Sequence, residues 1–193
     1  MNDFCLTAVK SLLRQIWSRF LWPDTKRTSR ALAQFISPTE IENTMHEHCQ
    51  LQLDLCEKLE VLADSLPHRI DTLDCFHLAR ILYPELKSSH NFEEQQLFPA
   101  LAPLTRNDRA LAASLERLLC EHWEDESYSQ ELTDTLTDWA KGRHPRNPEA
   151  SGYMLRGFFE GLRRHIAFER EHIVPMLRKL DCMAEINSVG LKT

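Results

Sequence analysis

Glycine is scarce in this chain, with 5 residues in 193. That removes the commonest material for tight hairpins and bulges. There is no run of about 18 apolar residues, so no membrane-spanning helix is expected. Positive charge is not in excess. The formal net charge is −6, which argues against a broad electrostatic grip on nucleic acid. A CxxC pair is absent. The six cysteines, Cys5, Cys49, Cys56, Cys75, Cys120 and Cys182, stand singly, so neither a zinc ribbon nor a thioredoxin-like redox motif is indicated. They read as reduced core residues of a cytoplasmic protein. Lys10, Arg14 and Arg19 interrupt the N-terminal apolar stretch, and that breaks any signal-peptide core.

What remains is rich in Leu, Ala, Glu and Arg, the material of helices. Residues 3–22 carry Leu6, Val9, Leu13, Ile16 and Phe20 at alternating steps of three and four. This predicts an amphipathic helix, with residues 1–30 forming an N-terminal segment of its own. It is expected to pack across the domain or to pair two copies as a homodimer. Anchoring at a membrane surface is the weaker alternative.

Residues 37–180 predict an all-α domain, an antiparallel up-down four-helix bundle. Ser37-Pro38-Thr39-Glu40 is a capping box that opens the first helix. Its stripe is Ile41, Met45, His48, Leu55, Leu59 and Leu62, and it ends near Pro67. The second helix starts at Asp71 and runs toward Leu101, with Leu82, Leu86, His90, Leu97 and Leu101 inward. Pro84 within it predicts a kink or restart. Asn107 or Asp108 caps the third helix, whose stripe is Leu111, Leu115, Leu118, His122, Leu132 and Leu136. Gly142 closes it. Asn147-Pro148-Glu149 opens the fourth, with Leu155, Phe158, Leu162, His165, Glu169 and Met176 inward. Short connections force antiparallel neighbours. Residues 181–193 form a tail without signal.

The histidines expose a duplication. His48 and His122 each follow a glutamate and lie 74 residues apart, while His90 and His165 lie 75 apart. Within each half the step is 42 or 43 residues. Residues equidistant from a hairpin loop reach the same height, so His48 faces His90 and His122 faces His165. All four imidazoles are then expected at one level of the core.

A lone histidine on an apolar stripe is usually a core residue. Four on four helices are a different matter. Glu169 lies four residues after His165 and Glu94 four after His90, with Glu93 a looser match, so carboxylates share the inner faces. Burying carboxylates among Leu and Phe is costly unless a cation compensates them. Imidazole and carboxylate suit iron, manganese or zinc. Four imidazoles and two carboxylates exceed the needs of one tetrahedral zinc and fit two ions bridged by glutamate, with open positions.

Glu-His48, His90 with Glu-Glu-Gln-Gln-Leu-Phe-Pro99, Glu-His122, and His165-Ile-Ala-Phe-Glu169 with Pro175 resemble the hemerythrin-like family, the HHE cation-binding domains, over roughly residues 37–180. The resemblance implies a non-haem centre of two iron ions, oxo- or hydroxo-bridged, with manganese or zinc as lesser alternatives. It implies His48, His90, His122 and His165 as terminal ligands, and Glu169 plus one of Glu93 and Glu94 as bridges. Two positions depart from the family pattern. The ligand histidine usually stands ten residues before the proline; His165 obeys, but His90 stands nine before Pro99, and Ser89 holds the usual place. Glu126 stands where oxygen carriers have a second histidine. Of the other histidines, His46, His68, His77 and His144 read as surface or loop residues. His172 reads as an inner-side residue beyond the ligands. Tyr128 and Trp123 read as core filling or channel lining.

Open iron positions in an apolar cavity suit dioxygen, nitric oxide or peroxide. The leading expectation is a protein that binds, senses or responds to one of these, or to iron. The alternatives are a di-iron enzyme that reduces peroxide or nitric oxide or donates iron to damaged clusters, and an interaction module with structural metal or none.

Overall fold

The computed structural model describes residues 36–143 and 145–180. The helix expected over residues 3–22, His144 and the tail 181–193 lie outside the described residues.

Each long helix starts where a short polar side chain can satisfy its first free N–H groups. Helix α1 (Pro38–Ser65) opens with the full capping box: the Ser37 hydroxyl accepts from the Glu40 amide at 3.2 Å, and the Glu40 carboxylate accepts from the Ser37 amide at 2.8 Å. Asp71 caps α2 (Thr72–Phe92), accepting from the amides of Leu73 and Asp74. A first π turn (Glu93–Leu97) joins α2 to α3 (Phe98–Thr105) as one continuous rod. Asp108, not Asn107, caps α4 (Arg109–Ala140). Asn147 caps α5 (Pro148–Phe168), which runs into a second π turn (Glu169–Ile173) and a last helical stretch over residues 175–180. Past α4 the chain turns at Gly142, whose φ is 78°. A side chain is strained in that left-handed region, and glycine is not.

The helices depart from regular geometry at two places, and neither is Pro84. The rod runs unbroken through Pro84. Pro84 and Arg80, whose carbonyl loses its partner, are both exposed, so water can satisfy that carbonyl. The helix is instead widened ten residues further on. Pro99 and Pro175 lack the N–H an ordinary turn would use, and their rings crowd the carbonyl four residues back. The chain answers with i→i−5 bonds: the Phe98 amide donates to the Glu93 carbonyl, and the Val174 amide to the Glu169 carbonyl at 2.9 Å. Such turns cluster at functional sites.

The rod of α2 packs along α4, and α1 along α5; contacts of α1 with α2 and of α4 with α5 close a four-sided bundle. Ile41, Met45, Leu59, Leu82, Leu86, Leu115, Leu118, Leu132, Leu155 and Phe158 are fully buried inside it. Each such side chain contributes about 1.5–3 kcal/mol. A cap contributes about 1 kcal/mol, and the outer ion pairs Arg163–Glu60 and Arg156–Asp64 less than about 1 kcal/mol each. The apolar interior therefore sets the stability. Cys49, Cys56 and Cys75 are buried thiols outside any disulfide. Burial pushes the first two up to about 12 and Cys75 to about 11. Among the described residues no helix is long and apolar enough to cross a membrane.

Candidate metal centre

Five buried donors meet in the middle of the bundle. The last turn of α2 supplies His90, and the first residue of the first π turn supplies Glu93. Mid-α4 supplies His122. The last turn of α5 supplies His165, and the first residue of the second π turn supplies Glu169. All five side chains are at most 5% exposed. One donor atom each from Glu93, His122, His165 and Glu169 lies within 4.8 Å of the other three, and ring nitrogens of His90, His122 and His165 do the same.

The inward atoms share a property. Nε2 of His90, His122 and His165, Oε2 of Glu93 and Oε1 of Glu169 are buried without a hydrogen-bond partner. His122 Nε2 lies 2.8 Å from Glu93 Oε2, and His165 Nε2 lies 3.5 Å from Glu169 Oε1. These are close approaches without hydrogen-bond alignment. Orphaned polar atoms are rare in folded proteins, and five in two overlapping groups that share His122 and His165 have the chemistry of a cation site.

The opposite edges of the three rings are all engaged. Nδ1 of His90 faces Glu126 Oε1 at 3.1 Å, Nδ1 of His122 faces Glu94 Oε1 at 3.0 Å, and Nδ1 of His165 faces Glu121 Oε2 at 3.1 Å. A carboxylate on Nδ1 keeps the proton there and leaves Nε2 as the free donor. Lys87 Nζ in turn holds both oxygens of Glu126, at 2.8 and 2.9 Å. Stacking adds restraint: the His90 and His122 rings lie 3.9 Å apart and nearly parallel, with Phe98 on the His122 ring at 5.6 Å.

Electrostatics shows how tightly the donors are coupled. Burial would raise Glu93, but the adjacent His122 charge more than reverses this and holds the carboxyl below the usual range. Burial and the Glu93 charge push Glu169 up to about 8. Burial opposes charge on His122, yet the Glu93 carboxylate pushes it up to about 9. Burial holds His90 down to about 4. His165, despite its burial, is raised by its hydrogen bond to Glu121 and by the nearby Glu169 carboxylate. Two adjacent carboxylates thus stay buried only through protons shared with imidazoles, and a divalent cation would replace those protons.

The sequence-based candidates separate here. His90, Glu93, His122, His165 and Glu169 come together. His48 does not: it is half-buried, with its ring 5.5 Å from Phe92, and it belongs to neither donor group. The expectation of four convergent imidazoles is therefore corrected to three. The inner stripe of α1 runs through Met45, Cys49, Gln52 and Cys56, and one residue of phase, about 100°, turns His48 off it. Glu94, the favoured reading of the Glu93/Glu94 pair, lies outside the inner group. It is 31% exposed and serves His122 from behind. Ser89 and His90 are both buried, so the inner face lies between them, and the residue four after Ser89 is Glu93. His172 faces solvent, 60% exposed, near Phe168. The Tyr128 hydroxyl donates to the Met154 carbonyl at 2.7 Å, tying α4 to α5, and Trp123 is half exposed.

Glu121 and Glu126 were missed as site residues. They flank His122 but serve histidines on α5 and α2, and local spacing says nothing of partners across helices. The usable signal was general: a buried imidazole that donates through one nitrogen needs an acceptor at the other.

A family model described as hemerythrin HHE cation binding domain matches residues 39–177. No curated protein and no solved structure matches the chain.

Proposed function

The chain belongs to the hemerythrin HHE cation-binding domain family and is a metal-binding protein, and from that premise we propose that it holds iron and responds through it to dioxygen, nitric oxide or peroxide. The observation that carries this reading is the set of five buried, unpartnered donor atoms, in two overlapping groups that share His122 and His165. The set mixes imidazole with carboxylate and contains no thiolate, which suits iron better than a soft metal. Bound iron would supply a redox-active Lewis acid able to take a small exogenous ligand.

The protein's own groups do the rest. Nε2 of His122 and His165 and the oxygens of Glu93 and Glu169 would hold the ion, and the two carboxylates would balance its charge. Glu94, Glu121 and Glu126 keep the imidazoles oriented. Buried apolar side chains, Phe98 against the His122 ring among them, keep bulk water from the donors. A cytoplasmic location fits a reduced, thiol-bearing core and belongs to the same proposal.

The test is anaerobic reconstitution with ferrous iron, followed by air, nitric oxide or hydrogen peroxide. A new charge-transfer absorption band is expected with at least one of the three. An unchanged spectrum from iron-loaded protein would overturn the reading.

A further inference from the structure

We propose that this centre is built for one metal ion, held by Glu93, His122, His165 and Glu169, and not for the pair of ions that the resemblance implies. The inference rests on the reading of the cluster as an iron site and concerns how many ions it takes.

The four-donor group has the dimensions of a single coordination sphere. With bonds of about 2.0–2.2 Å, adjacent donors around one ion are separated by about 3–3.5 Å and opposite donors by about 4.2 Å. The two imidazole–carboxylate pairs here are 2.8 and 3.5 Å apart, and all four atoms fall within 4.8 Å of one another.

A second ion would need bridging carboxylates with both oxygens available. Glu93 does not offer both. The buried Ser89 hydroxyl donates to its Oε1 at 2.9 Å, leaving Oε2 as the oxygen among the donors. Ser89 stands four residues before Glu93, as His165 stands four before Glu169. One half of the duplication thus places an imidazole ahead of its carboxylate, and the other half a hydroxyl bound to it.

A second ion would also need its own imidazoles. His48, the candidate on α1, rests against Phe92 outside both groups, and α1 buries Cys49 and Gln52 instead. His90 does not make up the loss. Its ring nitrogen joins those of His122 and His165 but not the carboxylates, and its ring lies flat against His122. It stands beside the four-donor group without sharing the charged oxygens an ion needs.

The experiment is equilibrium dialysis of the full metal-free chain against ferrous iron under nitrogen, with metal analysis and electron paramagnetic resonance after oxidation by ferricyanide. One iron per chain is expected, with a high-spin ferric signal integrating to about one spin per chain. Two irons per chain with a spin-silent coupled pair would overturn the inference and leave the iron reading intact. One iron without response to gas or peroxide would sink the functional reading alone, and no uptake would sink both. His48→Ala is expected to keep one iron per chain; loss of iron from that variant would place His48 in the coordination sphere and overturn the one-ion assignment.

Discussion

Nδ1 of His165 on α5 lies 3.1 Å from Glu121 Oε2 on α4, so the aim of an inner donor is set by a carboxylate on the neighbouring helix. Glu121 is 35% exposed, and its loss should spare the fold. Glu121→Ala is expected to lower iron affinity about 10–100-fold. Glu121→Gln, whose amide oxygen still accepts from Nδ1–H, should recover most of it. Competition against a chelator of known affinity measures both. Equal affinities for parent and Ala variant would show that the contact orients nothing.

Iron affinity should rise with pH. Glu169 at about 8 and His122 at about 9 both carry protons at neutral pH, and the metal must displace them. Raising the pH removes those protons beforehand, so mass action favours the bound state by up to tenfold per pH unit for each proton released. Chelator competition at several values between pH 6 and 9 reads the slope. A flat profile contradicts the shared-proton network.

Iron should stabilise the parent protein but not His165→Ala. A ligand present at 100 times its Kd adds about 2.7 kcal/mol to the folded state. Thermal melts of both proteins, with and without ferrous iron under nitrogen, test this. The iron-dependent gain in Tm should vanish in the variant; an equal gain in both would remove His165 from the site.

Two neighbours on α1 should separate burial from mere hydrophobicity. Leu59 is fully buried, and Val61 is 71% exposed. Leu59→Ala should cost about 2–5 kcal/mol in urea unfolding. Val61→Ala should change stability by no more than about 0.5 kcal/mol.

The fold was legible wherever the physics is local. Ser37, Asp71 and Asn147 announce helix starts because a cap concerns three or four consecutive residues. The long Leu stripes announce the bundle for the same reason. His48 misled because a stripe has finite width: Cys49 next to it is the buried residue, and an imidazole among leucines looks more purposeful than a thiol. The nine-residue spacing from His90 to Pro99, against ten from His165 to Pro175, did signal that the second helix differs. Only the packed side chains show what the difference is, with Ser89 bonded to Glu93. The outer carboxylates Glu121 and Glu126 were beyond any reading of spacing, because their partners sit on other helices.

Each π turn carries one residue more than an ordinary helix would need, and that surplus sets the phase of all that follows. Ile173 at the end of the second turn and Leu177 beyond it are buried, while Met176 is only partly so. Removing a single residue, for example the exposed Gln95, would tighten the first turn into a regular helix. Because the turn absorbs its extra residue locally, that deletion would leave Leu97, Phe98 and Leu101 facing the interior, whereas the full sequence wound as a regular helix would carry them about 100° around the axis. One surplus residue per half lets a glutamate face the donors and the leucines after it face the core on the same rod.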